Sequence, residues 1–135
     1  MDEWLIDTNI LIDIIGADPI YGERSLNTLT QLSATGVLII NPIIYAEIGA
    51  VIDSIEEIDK LLSPDLFRRE ELPWDACFLA GQSFRRYRKN QGQRKRMLAD
   101  FLIGAHAAVA NFGLVSRDQG YAQYFNVNII DPSQD

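Results

Sequence analysis

The sequence has one cysteine, Cys77, and one histidine, His106. A single thiol cannot form a disulfide within the chain, and it excludes a zinc site built from several cysteines of one chain. A single imidazole likewise excludes a histidine-rich metal site. Because His106 lies in an apolar helical segment, we expect it to pack in the core or at an interface.

Long apolar runs are also absent, since no stretch is long and apolar enough to span a bilayer. The first residues lack the basic start of a secretory signal. We therefore expect a cytoplasmic protein with no membrane partner. The chain has 135 residues, of which 47% are hydrophobic, so we expect one domain over residues 1–135 with a substantial core.

Apolar runs of strand length alternate with helical patterns along the chain. Strands are predicted at residues 3–7, 37–40, 113–116 and 127–130, and a short strand is predicted within residues 67–72. Helices are predicted at residues 9–15, 20–34, 42–52, 55–62, 73–89, 97–111 and 121–124. This alternation indicates βαβ crossovers. The predicted fold class is α/β, a three-layer α/β/α domain with a central, mostly parallel sheet.

Four acidic residues stand where such a sheet would bring them together. Asp7 and Asp118 each follow a predicted strand, and the carboxyl ends of parallel strands are where open α/β sheets place their sites. Glu47 lies among apolar neighbours in a helix, and a half-buried acid needs a partner. Asp100 lies near the start of a late helix. Asp100 and Asp118 also suit a purely structural role as helix-terminus residues.

Carboxylates that converge in one pocket need a cation. Two of them about 5 Å apart repel by roughly 3 kcal/mol at an effective dielectric constant near 20. A divalent ion offsets that repulsion, and Mg²⁺ prefers oxygen ligands. Thr8, Asn9 and Ser116 flank the acids and can orient them through hydrogen bonds.

Four blocks of the sequence resemble the PIN domain family, and most closely its VapC-type toxins from prokaryotic toxin–antitoxin pairs. Residues 5–11, LIDTNIL, resemble the opening hydrophobic-Asp-Thr/Ser-Asn block, and residues 41–47, NPIIYAE, resemble the block in which a helix carries a glutamate. Residues 99–107, ADFLIGAHA, and residues 114–118, LVSRD, are similar to the third and fourth blocks. The blocks occur in the family's order, and the resemblance covers residues 4–131.

The resemblance implies a function for these blocks. The metal-binding and catalytic residues would be four carboxylates that bind Mg²⁺ or Mn²⁺ for RNA cleavage: Asp7, Glu47, Asp100 and Asp118. Thr8, Asn9 and Ser116 would support them. The resemblance further implies a homodimer and a separate antitoxin protein as partner.

Positive charge is concentrated in one strip. The net charge is −7, yet residues 85–96 contain seven basic residues and no acid. Arg94, Lys95 and Arg96 lie just before a predicted helix N-terminus, where positive charge is mildly unfavourable. We therefore predict that these three bind RNA phosphates or an acidic segment of a partner.

Two other functions remain open from the sequence. A phosphatase of the haloacid-dehalogenase type also begins with an aspartate at the end of a strand, but such enzymes usually need a second acid two residues later, where this chain has Asn9. The other alternative is a catalytically inactive PIN-like module that binds RNA or protein.

Overall fold

The computed structural model of the protein describes residues 2–90 and 96–134. Its strands are β1 (Asp2–Ile6), β2 (Gly36–Ile40), β3 (Phe67–Arg69), β4 (Gly113–Val115) and β5 (Ile129–Ile130). Its α-helices are α1 (Thr8–Ile15), α2 (Gly22–Thr35), α3 (Pro42–Gly49), α4 (Ile55–Leu61), α5 (Trp74–Asn90) and α6 (Leu98–Ala110). A 3₁₀ helix spans Gln119–Gln123.

The strands form one sheet in the order β3-β2-β1-β4-β5, and each described pair is parallel. The prediction of a mostly parallel sheet is therefore confirmed. The chain moves outward from β1 through β2 to β3 and then returns to β4 on the other side of β1. The strand order thus reverses between β1 and β4, and such a switch point opens a crevice at the carboxyl ends of the strands.

Helices cover both faces of this sheet. Helices α1, α2 and α4 line a common groove with Leu38 of β2, so they share one face. Helices α5 and α6 pack on each other and connect β3 back to β4. Because that connection runs in the opposite direction along the sheet, a right-handed crossover places them on the other face. The three-layer prediction is confirmed.

The central strands are buried on both sides, which explains their continuous apolar sequence. Leu5, Ile6 and Ile39 have no exposed surface. Between α5 and α6, Phe84, Tyr87 and Phe101 stack at centroid separations of 5.4 to 6.1 Å. Among the helices that the structure describes, none is long and apolar enough to cross a membrane.

Asn41 fixes both the start of α3 and the position of the lone histidine. Its Oδ1 accepts a 2.9 Å hydrogen bond from Ile44 N, with Pro42 in the first turn, as the sequence predicted. Its Nδ2 lies 3.0 Å from Nδ1 of His106. His106 is buried, and burial lowers its pKa. The expected packing role of His106 is confirmed.

Several predicted bounds differ from the observed ones; α3, for example, ends at Gly49 and not at residue 52. β3 spans Phe67–Arg69, within the predicted range of residues 67–72, and Glu70 N still donates to Ile40 O at 3.0 Å. β5 pairs only over Ile129–Ile130. The helix expected at residues 121–124 is a 3₁₀ helix that begins at Gln119, because Asp118 accepts from Gly120 N and tightens the turn.

Candidate functional site

Asp7 lies at the switch point, directly after β1. Its backbone N–H donates to Val115 O at 2.9 Å, so the ends of β1 and β4 are joined there. Oδ1 accepts from Thr8 N at 2.8 Å and caps α1, while Oδ2 accepts from Ser116 Oγ at 2.7 Å and Asn9 Nδ2 at 3.1 Å. The residue is only 5% exposed.

The environment of Asp7 disfavours its negative charge. Burial is the largest influence and raises its pKa to about 6. The charge of Asp100 acts in the same direction, whereas hydrogen bonds from Ser116, Tyr121 and Thr8 lower the pKa. A carboxylate in this position gains from a neighbouring cation.

Glu47 is connected to Asp7 through one side chain. The hydroxyl of Thr8 donates a 2.6 Å hydrogen bond to Oε1 of Glu47, and the amide of the same residue donates to Asp7. Glu47 is half-buried on α3. The structure therefore brings together the first two predicted acids and places Thr8 between them.

Ser116 connects Asp7 to the loop that follows β4. Its hydroxyl donates to Asp7, accepts from Asp118 N at 2.9 Å and lies 3.3 Å from Asn9 Nδ2. Ser116 is fully buried. Asn9 also accepts from Arg117 N at 3.3 Å. Both residues donate hydrogen bonds to Asp7.

Asp100 lies in the first turn of α6, where its Oδ2 accepts from Met97 N at 3.1 Å. It is half-buried, and its negative charge raises the pKa of Asp7 and of Tyr121. Asp100 is thus coupled to Asp7 through electrostatics. The structural role suggested by its sequence position, at a helix N-terminus, is also present.

Asp118 is engaged by an arginine. Its Oδ2 accepts from Arg96 Nη1 at 2.8 Å, and its Oδ1 accepts from Arg96 Nη2 at 2.9 Å and from Gly120 N at 2.9 Å. The hydrogen bonds to Asp118 raise the pKa of Arg96. Arg94 and Lys95 lie outside the described residues. Of the basic strip, Arg96 turns inward, an arrangement that the sequence did not indicate.

Tyr121 was missed by sequence reasoning. It is buried in the 3₁₀ helix, and its pKa is raised far above the ordinary value, first by burial and then by the charges of Asp7, Asp100 and Asp118. Its hydroxyl hydrogen-bonds Asp7. The charges of three predicted aspartates therefore act on one tyrosine hydroxyl. The only signal in the sequence was its place three residues after Asp118.

A second buried acid, Asp13, also escaped prediction. It accepts from Arg117 Nε at 2.8 Å and Arg117 Nη2 at 2.9 Å. Ser25 donates to it at 3.2 Å, and the guanidinium of Arg117 lies 4.1 Å from the ring centroid of Tyr21. This cluster ties the loop after β4 to α1 and α2.

The acids supply oxygen ligands, which suit Mg²⁺ or Mn²⁺ and not a soft metal. The buried Asp7, with its raised pKa, fits such an ion because a cation would stabilise its charged form. Within residues 2–90 and 96–134, however, no three His, Cys, Asp or Glu side chains are close enough together to hold a metal ion. The structure therefore connects the predicted acids in pairs, but within the described residues it does not gather them into one metal-binding pocket.

A polar cleft of about 690 Å³ has one of the four predicted acids, Asp118, in its lining. Asn9, Arg96, Arg117 and Asp118 line it on the side of the switch point.

Comparison with known proteins adds a family and a fold. The family model described as PIN domain matches residues 4–125. No match was found among the curated proteins.

Several solved structures are similar. VapBC2 from Rickettsia felis, bound to a DNA fragment from its promoter, has a TM-score of 0.74 and 19% identity, covering 96% of this chain and 98% of that chain. VapBC-1 from nontypeable Haemophilus influenzae has a TM-score of 0.71 and 22% identity, covering 98% and 99%. VapC20 from Mycobacterium tuberculosis, described as a sarcin–ricin loop cleaving toxin, has a TM-score of 0.61 and 13% identity, covering 91% and 96%.

The family match extends from the buried part of β1 to Phe125, beyond the 3₁₀ helix. It includes each of the four acids and the strand-order reversal between β1 and β4. The chain belongs to the PIN domain family.

Proposed function

We propose that the protein is a metal-dependent endoribonuclease that hydrolyses phosphodiester bonds of RNA. The supporting observation is the linkage of Asp7 to Glu47 through Thr8, and to the Asp118 loop through Ser116, at the switch point of the sheet. PIN family membership and the likeness to VapC20, a toxin described as cleaving the sarcin–ricin loop, support RNA as the substrate.

In this proposal Asp7, Glu47 and Asp100 would bind the cation, either directly or through water molecules that the ion retains, and Asp118 is the fourth carboxylate at the edge of the cleft. When bound, Mg²⁺ or Mn²⁺ supplies activation of water and neutralisation of charge on the phosphate oxygens. The buried carboxyl of Asp7 loses part of its desolvation penalty beside a cation, which keeps it ionised at neutral pH.

The supporting side chains hold the carboxylates in fixed orientations. Thr8 fixes Glu47, while Asn9 and Ser116 both donate to Oδ2 of Asp7. The tyrosine hydroxyl is protonated at neutral pH, and the raised pKa of Tyr121 favours the protonated form further, so it remains a donor beside Asp7. Such fixed donors keep reacting groups in place without reorganisation during the reaction.

The direct test is cleavage of a panel of structured RNAs with Mg²⁺, with Mn²⁺ and with chelator. We expect cleavage only with a metal, and we expect Asp7→Asn and Asp100→Asn to abolish it while thermal unfolding stays cooperative. Asp65→Asn, an exposed aspartate in a turn, is the matched control and should cleave normally. Metal-independent cleavage, or full activity of Asp7→Asn, would contradict the proposal.

We further propose that this nuclease acts in the cytoplasm as the toxin of a toxin–antitoxin pair. The similar structures include VapBC complexes, and VapBC designates a two-component assembly. An apolar groove of about 390 Å³ lies between α1, α2 and α4, and its exposed leucines, Leu26 and Leu66, suit an apolar segment of an antitoxin.

Growth assays test the toxin role. Expression should arrest bacterial growth for the wild type but not for Asp7→Asn, and co-expression of the protein encoded beside it should restore growth. A Leu26→Glu variant should stay toxic but resist this rescue, because a charge enters the groove. Rescue of Leu26→Glu equal to that of the wild type would exclude the groove as the antitoxin site.

No observation favours the two alternatives. For a haloacid-dehalogenase-type phosphatase, Asp7 would have to be a nucleophile, yet both its oxygens accept hydrogen bonds and Asn9 stands where a second acid is needed. Detection of an aspartyl-phosphate would support that alternative. A non-catalytic module should bind no Mn²⁺ in calorimetry and should cleave no RNA.

A further inference from the structure

Asp118 has little capacity left for a direct bond to a metal ion. Each of its oxygens accepts a hydrogen bond from Arg96, at 2.8 and 2.9 Å, and Oδ1 also accepts from Gly120 N. The side chains of Arg96 and Asp118 are 9% and 17% exposed. A bidentate pair so well shielded from water holds its geometry strongly. Direct coordination by Asp118 would require this pair to open and would leave the guanidinium unpaired beside the ion.

The surroundings of Arg96 are built to hold its guanidinium in one place. Its backbone N–H donates to the hydroxyl of Tyr87 at 2.6 Å, and its guanidinium carbon lies 6.0 Å from the ring centroid of Tyr124. Gly120 passes so close to Nη2 that a Cβ atom there would collide with it. Residue 120 therefore has to be small for Arg96 to reach Asp118.

The guanidinium group retains binding capacity after this pairing. It carries five N–H donors in a planar fork, and the pair with Asp118 uses two of them. Arg96 lines the polar cleft, and its partner Asp118 is connected to Asp7 through hydrogen bonds of Ser116, so Arg96 lies near the proposed cation site. A guanidinium held beside carboxylates at the floor of a cleft suits a phosphate group.

We propose that Asp118 is not a direct metal ligand but the anchor that orients Arg96, and that Arg96 binds the scissile phosphate of the RNA. This inference rests on the nuclease function proposed above and assigns separate tasks within its four acids. Asp7, Glu47 and Asp100 serve the cation. Asp118 is a positioning residue that acts through Arg96.

The double variant Arg96→Gln with Asp118→Asn is the decisive protein. It removes the ion pair without changing the net charge, and its two amides can still hydrogen-bond each other, which favours folding. We expect Mn²⁺ affinity in calorimetry to stay at the wild-type value, while RNA cleavage falls by about 10² or more. Loss of Mn²⁺ binding in this variant would establish Asp118 as a ligand and overturn the proposal.

The single variant Arg96→Ala separates phosphate binding from two competing roles. If Arg96 binds the scissile phosphate, cleavage falls, and free guanidinium far below its unfolding concentration restores part of it. The salt dependence of RNA binding measured with chelator should also weaken by about 0.7 of a logarithmic slope unit, the value for one phosphate contact on a single strand. Faster cleavage with tighter Mn²⁺ binding would instead show that Arg96 blocks the site. Unchanged cleavage and RNA binding would assign Arg96 to a protein partner.

Arg69→Ala is the matched control, because Arg69 pairs with Asp59 at 2.7 Å three strands away along the sheet. It should leave cleavage, Mn²⁺ affinity and the response to guanidinium unchanged. The wild-type protein distinguishes failure of the proposed nuclease function from failure of the role proposed for Asp118. If it cleaves no RNA with Mn²⁺, the nuclease function fails, whereas normal wild-type cleavage with Mn²⁺ loss in the double variant rejects only the role given to Asp118.

Discussion

The hydroxyl of Thr8 donates a 2.6 Å hydrogen bond to Oε1 of Glu47, a residue 39 positions later in the chain. The backbone amide of Thr8 also donates to Asp7. One residue at the first turn of α1 therefore sets the relative position of two carboxylates that belong to different βαβ units. Replacing its hydroxyl should affect the site more than the fold.

We expect Thr8→Val to lower RNA cleavage about tenfold, because Glu47 loses the donor that orients it. The shape of the side chain and the backbone bond to Asp7 are kept, so the free energy of unfolding should fall by only about 1 kcal/mol. Thr8→Ser keeps the hydroxyl and should stay near wild-type activity. Cleavage rates and urea unfolding test this, and equal activity of the valine and serine variants would contradict it.

The ion pair of Asp13 and Arg117 should matter for stability, in contrast to Thr8, whose hydroxyl should matter mainly for activity. Asp13 is buried, with a side chain only 4% exposed, so removing its partner leaves an uncompensated charge inside the protein. Arg117→Ala should lower the free energy of unfolding by about 2–3 kcal/mol, less than for a fully buried pair because Arg117 is 27% exposed. Urea unfolding measures this change, and the slope of the unfolding free energy against urea concentration should stay unchanged.

The second half of that test is a compensating variant. Arg117→Met combined with Asp13→Leu removes both charges and should recover most of the lost stability, since a buried ion pair contributes little over apolar packing. A double variant as unstable as Arg117→Ala would show that the pair stabilises the protein through more than charge balance.

Periodicity was sufficient to predict the fold. Asn41-Pro42 marked the start of α3, and the uninterrupted apolar run 37–40 marked a central strand, because helix caps and doubly buried strands depend on local sequence. The predicted bounds of the short edge strands were less accurate. Pairing at β3 and β5 is decided by the neighbouring strand more than by local propensity.

The partners of the acids were less accessible from the sequence. Asp7 and Ser116 are 109 residues apart, and only the parallel register of β1 with β4 makes them neighbours. The inward orientation of Arg96 depends on the close approach of Gly120 to its guanidinium group. No local sequence pattern predicts this contact. For the same reason the burial of Tyr121 and of Asp13 went unpredicted, since polar residues in helical segments are exposed more often than not.

A patch on α5 predicts self-association. Trp74 is 90% exposed and Phe78 is 71% exposed, and residues four apart lie on one helical face. Trp74 therefore does not belong to the core, and large exposed aromatic groups indicate an interaction site. We propose that this face contributes to the homodimer expected from the family resemblance.

Sedimentation equilibrium tests that role. The wild type should dimerise, and Trp74→Glu with Phe78→Glu should shift the protein to monomer while thermal unfolding stays cooperative. Ile20→Glu, another exposed apolar position outside α5, should leave the dimer intact. A wild type that stays monomeric at high concentration would reject the homodimer itself.

The pKa of Asp7 predicts how metal and pH act on stability. Folding raises this pKa from 3.8 to about 6, so the folded state binds the proton more tightly than the unfolded state. Protonation of Asp7 therefore stabilises the folded state. This stabilisation is fully present below pH 4 and is lost as the pH rises through 6. In metal-free protein the loss amounts to about 3 kcal/mol by neutral pH. Asp7→Asn should therefore unfold at a higher temperature than the wild type at pH 7 without metal, and its stability should vary less between pH 4 and 6.

Mn²⁺ should make the wild type unfold at a higher temperature than Asp7→Asn. A cation bound beside Asp7 stabilises the wild type by about 2.7 kcal/mol at a hundredfold excess over its dissociation constant, and it should have little effect on Asp7→Asn. Thermal unfolding of both proteins at pH 4, 5, 6 and 7, with Mn²⁺ and with chelator at the neutral values, measures the two effects separately. Equal stabilisation of both proteins by Mn²⁺ would place the ion elsewhere, because only a site that includes the Asp7 carboxylate loses a charged ligand in this variant.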